Sequence, residues 1–92
     1  MAFDPSSLIY DANGLIPVIA QDHSTGEVLM FAWLNAVGVM LTLTMGQVTY
    51  WSRSRKAFWI KGETSGHTQR LMDLRIDCDR DSLLVQIGRA HV

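Results

Sequence analysis

Leu15-Ile16-Pro17-Val18-Ile19-Ala20-Gln21-Asp22, then His23-Ser24-Thr25-Gly26, then Glu27-Val28-Leu29-Met30-Phe31-Ala32-Trp33, is the stretch that decides the fold. Two apolar runs rich in β-branched and aromatic residues flank a four-residue polar loop with glycine, the pattern of a β-hairpin. Pro17 lies near the start of the first run and has no N–H to give, which suits an edge strand. Upstream, Asp11-Ala12-Asn13-Gly14 is a turn signal. Met1 to Tyr10 reads as a lead-in with a short helical turn after Asp4-Pro5. Downstream, Asn35 is suited to cap a helix over 36–45 and Gly46 to end it. Val48–Trp51, Ala57–Lys61, Leu71–Asp77 and Ser82–Ile87 read as further strands, the third half-buried by its alternation. Many short strands and one helix predict a mainly β, α+β domain that is mostly antiparallel.

The helix has an unusual surface. Ala36, Val39 and Leu43 form one apolar stripe, and Val37, Met40, Leu41, Thr44 and Met45 form a second. No charge occurs between Glu27 and Arg53. A helix apolar on all sides is either enclosed or covered by a partner.

The chain has 92 residues, enough for one domain spanning 1–92, and 48% of them are hydrophobic, too many for a disordered segment. Eight basic residues against nine acidic ones give a net charge of −1, which disfavours a general nucleic-acid-binding surface. No apolar run reaches membrane-spanning length and no signal-peptide pattern opens the chain. The single cysteine, Cys78, has no intramolecular partner for a disulfide, and the chain reads as cytoplasmic. A core this small, without disulfides, gains from association or bound metal.

Chemistry concentrates in three segments. In Asp77-Cys78-Asp79-Arg80-Asp81, three carboxylates are hard ligands suited to Mg2+ and a thiolate is a soft ligand suited to Zn2+. On a straight strand, residues two apart are separated by roughly 6.7 Å and residues four apart by roughly 13 Å, so a turn or a second subunit must gather them. The alternative is a solvated acidic strand end. An EF-hand is excluded, because Ser82 and Gly88 stand where its glycine and glutamate belong.

Trp51-Ser52-Arg53-Ser54-Arg55-Lys56 holds most of the basic side chains that, with Lys61, make up half of the total. Arginines alternating with serines on an extended segment would offer donors to phosphate oxygens, and Trp51 or Trp59 a face for a base. A basic hairpin with core tryptophans is the plainer reading, and single-stranded nucleic-acid binding a further one. Gly62-Glu63-Thr64-Ser65-Gly66-His67 offers hydroxyls, backbone N–H groups and an imidazole, but lacks the Lys-Ser/Thr ending of a P-loop. His23 reads as an exposed loop residue. No serine has the surroundings of a nucleophile elbow.

In this order, Leu15–Asp22, Thr25–Met30, Tyr50–Arg55, Lys61–Gly66 and Asp77–Asp81 resemble the phosphoribosyl-AMP cyclohydrolases of histidine biosynthesis, over roughly residues 11 to 87. The resemblance implies a homodimer with a strongly bent sheet and one helix, and hydrolysis of the N1–C6 bond in the adenine ring of 1-(5-phosphoribosyl)-AMP. A ribosyl group on N1 makes C6 electrophilic, open to a metal-activated hydroxide. Carried over residue by residue, it implies Asp77, Asp79 and Asp81 as magnesium ligands and Cys78 as a zinc ligand. It implies Arg53, Arg55, Lys61 and the loop Glu63, Thr64, Ser65 and Gly66 as the residues that hold the phosphates and sugars. Trp51 and Ser54 of the basic segment are expected to join them in binding substrate. His67, beside that segment and the glycine pair, is the candidate catalytic histidine, although relatives carry an acid/base histidine in a later segment. Two departures stand out. Relatives continue into a segment with two more cysteines, whereas this sequence ends Gly88-Arg89-Ala90-His91-Val92, which predicts an incomplete zinc centre and impaired activity. The helix lacks the charged outer residues of relatives. The alternative to the enzyme is therefore a non-catalytic, engineered scaffold that oligomerises through the apolar face of helix 36–45.

Overall fold

Asp11 starts the hairpin. Its Oδ1 accepts from the N–H groups of Asn13 at 2.8 Å and Leu15 at 2.9 Å, while Gly14 takes φ +75° and donates to the Asp11 carbonyl at 2.9 Å. This turn releases the chain into strand β1 (Leu15–Asp22), which pairs antiparallel with β2 (Val28–Asn35). The computed structural model describes residues 4–61 and 67–91. Before β1, Asp4 caps a single 3-10 turn, Pro5–Ser7, by accepting from the Ser6 N–H.

After β2, Asn35 Oδ1 accepts from the Gly38 N–H at 2.7 Å and opens helix α1 (Ala36–Met45). Gly46 closes it at φ +73°, donating to the Thr42 carbonyl at 3.0 Å. The two boundaries agree with the sequence reading, and Ala36, Val37, Met40, Thr44 and Met45 lie exposed on the outer side. Gly38, Val39 and Thr42 face inward, whereas Leu43, in the same stripe as Val39, is exposed. The cause is a close approach to β3 (Thr49–Ser52). A Cβ on Gly38 would lie 3.0 Å from the Thr49 carbonyl oxygen, and Thr42 Oγ1 accepts from the Thr49 N–H at 3.0 Å.

β3 pairs antiparallel with β4 (Ala57–Ile60) as a separate two-stranded sheet. β5 (His67–Ile76) and β6 (Leu83–His91) complete the larger sheet, in the order β2-β1-β6-β5. β1 and β6 run parallel and the other pairings are antiparallel, which matches the expected mostly antiparallel, α+β architecture. Pro17 lies on an interior strand rather than an edge. β6 pairs only with Val18–Asp22, so at Pro17 the strand has β2 alone as a neighbour and no bond to β6 is lost.

The inner face of this sheet is the core. Ile16, Val18 and Ala20 of β1, Leu34 of β2 and Val85 and Ile87 of β6 are fully buried, and Val39, Val48 and Tyr50 close over them. The buried Tyr50 hydroxyl donates to Gln69 Oε1 at 2.7 Å, which satisfies both groups, and burial raises the phenol's pKa well above its ordinary value. In β5 the expected strict alternation breaks. The register shifts between Leu71 and Asp73, so Met72 becomes a bulge residue exposed to solvent while Leu71 joins Leu74 against the core.

Because side chains alternate, the same strands send Pro17 and Ile19, Phe31 and Trp33, and Leu84 to the opposite face. Phe31 is 60% exposed and Ile19 38%. The candidate functional side chains border this outer face.

Candidate functional site

The acidic segment is a turn, not a straight strand. It joins β5 to β6, with the Asp77 N–H donating to the Ser82 carbonyl at 3.0 Å and the Arg80 N–H to the Asp77 carbonyl at 2.8 Å. Arg80 is left-handed at φ +64°, which curls the chain and lets Asp77 Oδ2 accept from the Asp79 N–H at 3.2 Å. Asp77, Cys78 and Asp79 thereby bring one donor atom each within 4.8 Å of one another. All three are exposed. Asp81 is drawn in as well. A hydrogen bond with Asp77, partial desolvation and repulsion from the neighbouring carboxylates hold its carboxyl above the usual aspartate range. The turn thus brings Asp77 and Asp79 together, which a straight strand does not, and sets Asp81 beside Asp77.

Asp77 borders a hollow of about 330 Å³ with Ser82 and Arg75, floored by Ile19 and Leu84. Arg75 Nε is bound to Asp73 Oδ2 at 3.0 Å, and that guanidinium keeps the Asp73 carboxyl below its ordinary range.

The arginine-serine segment is likewise a turn rather than the extended ribbon expected. Residues 53–56 link β3 to β4, Lys56 is left-handed at φ 52°, and Ser52 Oγ accepts from Arg55 N at 3.2 Å and Arg55 Nε at 3.4 Å. Arg53 leaves the loop and lies over the Trp33 ring, its Cζ 4.6 Å from the centroid. Arg53 and Ser54 edge a groove of about 560 Å³ whose walls are Phe31, Trp33, Trp51 and Trp59. Arg53 also lines a second hollow of about 320 Å³ with Trp51, Lys56 and Asn13. Trp51 is braced edge-on by Phe58, centroids 5.0 Å apart, and Trp59 packs on the buried Tyr50 at 4.8 Å.

The aromatic groove and the hollow beside the acidic turn open on one face. Phe31 belongs to the first and Ile19 to the second, and these two residues are directly paired partners on β2 and β1, both exposed. Among the described residues, no hydrogen bond or ion pair joins Asp77, Asp79 or Asp81 to Arg53 or Arg55. Lys61 is exposed just after β4. Glu63, Thr64, Ser65 and Gly66 lie outside the described residues, and of His67 the structure gives the backbone, which opens β5 opposite His91. His23 is exposed in the β1–β2 loop, as expected.

Phe31 and Trp33 line the groove, and the sequence reading passed them over. They alternate with the buried Ala32 and Leu34, a period-2 pattern that assigns both aromatics to the non-core face.

The described residues thus form a small mixed-sheet domain with a thiol-bearing acidic turn and an arginine-edged aromatic groove on one face. Residues 30–92 match the profile of the phosphoribosyl-AMP cyclohydrolase family. A phosphoribosyl-AMP cyclohydrolase of Cereibacter sphaeroides is 74% identical over 87 residues, which cover 95% of this chain and 73% of that protein. Those of Ruegeria pomeroyi and Paracoccus denitrificans are 68% and 67% identical over 87 residues, each with 95% of this chain covered and 73% and 72% of the relative. The chain belongs to the phosphoribosyl-AMP cyclohydrolase family, a family of enzymes.

Proposed function

We propose that this chain hydrolyses the N1–C6 bond of the adenine ring in 1-(5-phosphoribosyl)-AMP, a step of histidine biosynthesis, in the cytoplasm. The observation that carries the reading is the turn at Asp77–Asp79, three donors within 4.8 Å, on the sheet face that also bears the Arg53–Trp33 groove.

The donor chemistry fits a dication. Carboxylates of Asp77, Asp79 and Asp81 suit Mg2+, which takes one or two protein carboxylates and keeps several waters. The raised pKa of Asp81 comes first from its hydrogen bond with Asp77, then from desolvation and from repulsion by Asp77 and Asp79, and a bound cation relieves that repulsion. Cys78 offers one thiolate toward Zn2+, whose tetrahedral sites take three or four protein ligands. Cys78 alone does not fill such a site, so further donors complete any zinc centre it joins. A dication bound at the turn would supply Lewis acidity and hydroxide at neutral pH.

The remaining work falls to side chains. Arg53, Arg55 and Lys61, with Ser54 and the Glu63–Gly66 segment, neutralise and orient two phosphates and their sugars. Trp51, with Phe31 and Trp33, receives the purine and keeps water from its faces. The reaction adds water across one bond: oxygen bonds to C6, the C6–N1 bond breaks, and a proton is delivered to N1. His67, whose imidazole can accept and donate a proton, is the group assigned to move that proton. Self-association suits the exposed apolar side chains of Ile19 and Phe31 on the sheet and Val37, Met40 and Met45 on α1.

The test is purified chain with 1-(5-phosphoribosyl)-AMP and added Mg2+ and Zn2+, followed by absorbance as the ring opens. Cation-dependent turnover supports the reading. No turnover, no retained metal and an assembly larger than a dimer favour the scaffold that joins through helix 36–45.

A further inference from the structure

Arg80 stands among the acidic residues without sharing their charge. Its backbone is left-handed, a conformation that disfavours a non-glycine residue, and bonds from outside the turn hold it there. The holder is the N-terminal lead-in, more than seventy positions away. Arg80 Nε donates to the Ser7 carbonyl at 3.0 Å, its Nη2 donates to Ser7 Oγ, and its own carbonyl accepts from the Ile9 N–H at 2.7 Å. The anchor is itself fixed. Leu8 is buried in the core, and the 3-10 turn is closed by the Ser7 N–H to the Asp4 carbonyl at 3.0 Å.

We propose that Arg80 is a positioning residue, a latch to Ser7 and Ile9 that holds the Asp77–Asp81 turn in the shape in which its donor atoms converge. The inference rests on the cation reading of that turn. Its logic is that of an outer-shell partner: three bonds to a rigid anchor keep the carboxylates together before an ion arrives, so less order is imposed on binding.

Charge and position make opposite demands on a variant. Removing a cationic side chain from beside carboxylates would, by electrostatics alone, tighten binding of a dication. Loss of a latch weakens it. Arg80→Gly tolerates the left-handed backbone and removes the guanidinium, Ser7→Ala removes one acceptor with no change of charge, and Arg80→Lys keeps the charge with a smaller donor set. The probe is Mn2+ alone, with affinity read by electron paramagnetic resonance and with amide hydrogen exchange at Ile9 on the full chain.

The expected result is a Kd for Mn2+ raised about tenfold by Arg80→Gly, about two- to threefold by Ser7→Ala, and between these by Arg80→Lys, with faster Ile9 exchange in all three. Unchanged or tighter binding in Arg80→Gly, where the parent chain binds, overturns the latch and leaves the cation reading standing. A parent chain that binds no Mn2+ overturns both.

Discussion

The two hairpin turns that carry the polar chemistry share a backbone device and use it differently. Each has one left-handed basic residue, Lys56 at φ 52° in the β3–β4 turn and Arg80 at φ 64° in the β5–β6 turn. Arg80 is tied by side chain and main chain to Ser7 and Ile9, elements of another part of the chain. The β3–β4 turn is held by Ser52 Oγ from within its own hairpin, and Arg53 rests on Trp33 of a neighbouring strand. On the proposed reading, a cation would need donors at fixed separation, which suits a turn braced from outside. A flexible, phosphate-bearing ligand would tolerate adjustment, which suits a turn braced locally and by one ring face.

The sharpest break in that comparison is Asp79→Asn, which removes a charged donor at the centre of the acidic turn. It abolishes cation-dependent turnover and the measurable Mg2+ response, with folding by circular dichroism unaltered. Next comes Arg53→Ala. Loss of one charge-assisted phosphate contact raises KM about tenfold and leaves kcat within about twofold, by steady-state kinetics. A smaller effect separates the two left-handed residues. Lys56→Gly relieves backbone strain without loss of any anchor and raises stability by about 0.5 kcal/mol, or about 2–4 °C in Tm. Arg80→Gly relieves the same strain but loses its bonds to Ser7, and its Tm falls. Equal shifts in the two variants would erase the distinction between the turns.

The smallest effect is the pH dependence at Asp81. Its pKa is raised in the folded chain, so its ionisation is disfavoured there, and the parent loses stability as pH rises from 3.8 through the folded value. Asp81→Asn escapes that loss. Without added cation its Tm matches the parent below pH 3.8 and exceeds it slightly above the folded pKa, by a margin that shrinks with salt. With Mg2+ present the order reverses, because the parent gains a ligand.

What the sequence made legible was local. Asn35 and Gly46 are cap residues whose effect depends on their own dihedrals and side chains, so both ends of α1 were readable. That Gly38 and Thr42 face inward and Leu43 outward was not, since no charged residue marks the outside of α1 and the decision came from Gly38 meeting the Thr49 carbonyl. The hairpin of β1 and β2 was readable from its alternation and loop. The Met72 bulge was not, because Leu71, Met72 and Leu74 are all apolar and the register is set by pairing with Ile87 and Gln86. For the site, residue types at Asp77–Asp81 and Arg53–Arg55 announced their chemistry, but their shape depended on left-handed Arg80 and Lys56. A bond between Ser7 and Arg80 leaves no trace in local composition. Membership of the cyclohydrolase family, read from five short motifs, agreed with the match over residues 30–92. The described residues contain no helix long and apolar enough to cross a membrane.

The central claim is that the acidic turn serves the opening of a purine ring, and the measurement that meets it most directly is turnover of 1-(5-phosphoribosyl)-AMP by parent and Asp79→Asn chains at matched Mg2+ and Zn2+. The account predicts an absorbance change with the parent that depends on cation and none above background with the variant. Equal rates in the two chains would contradict it.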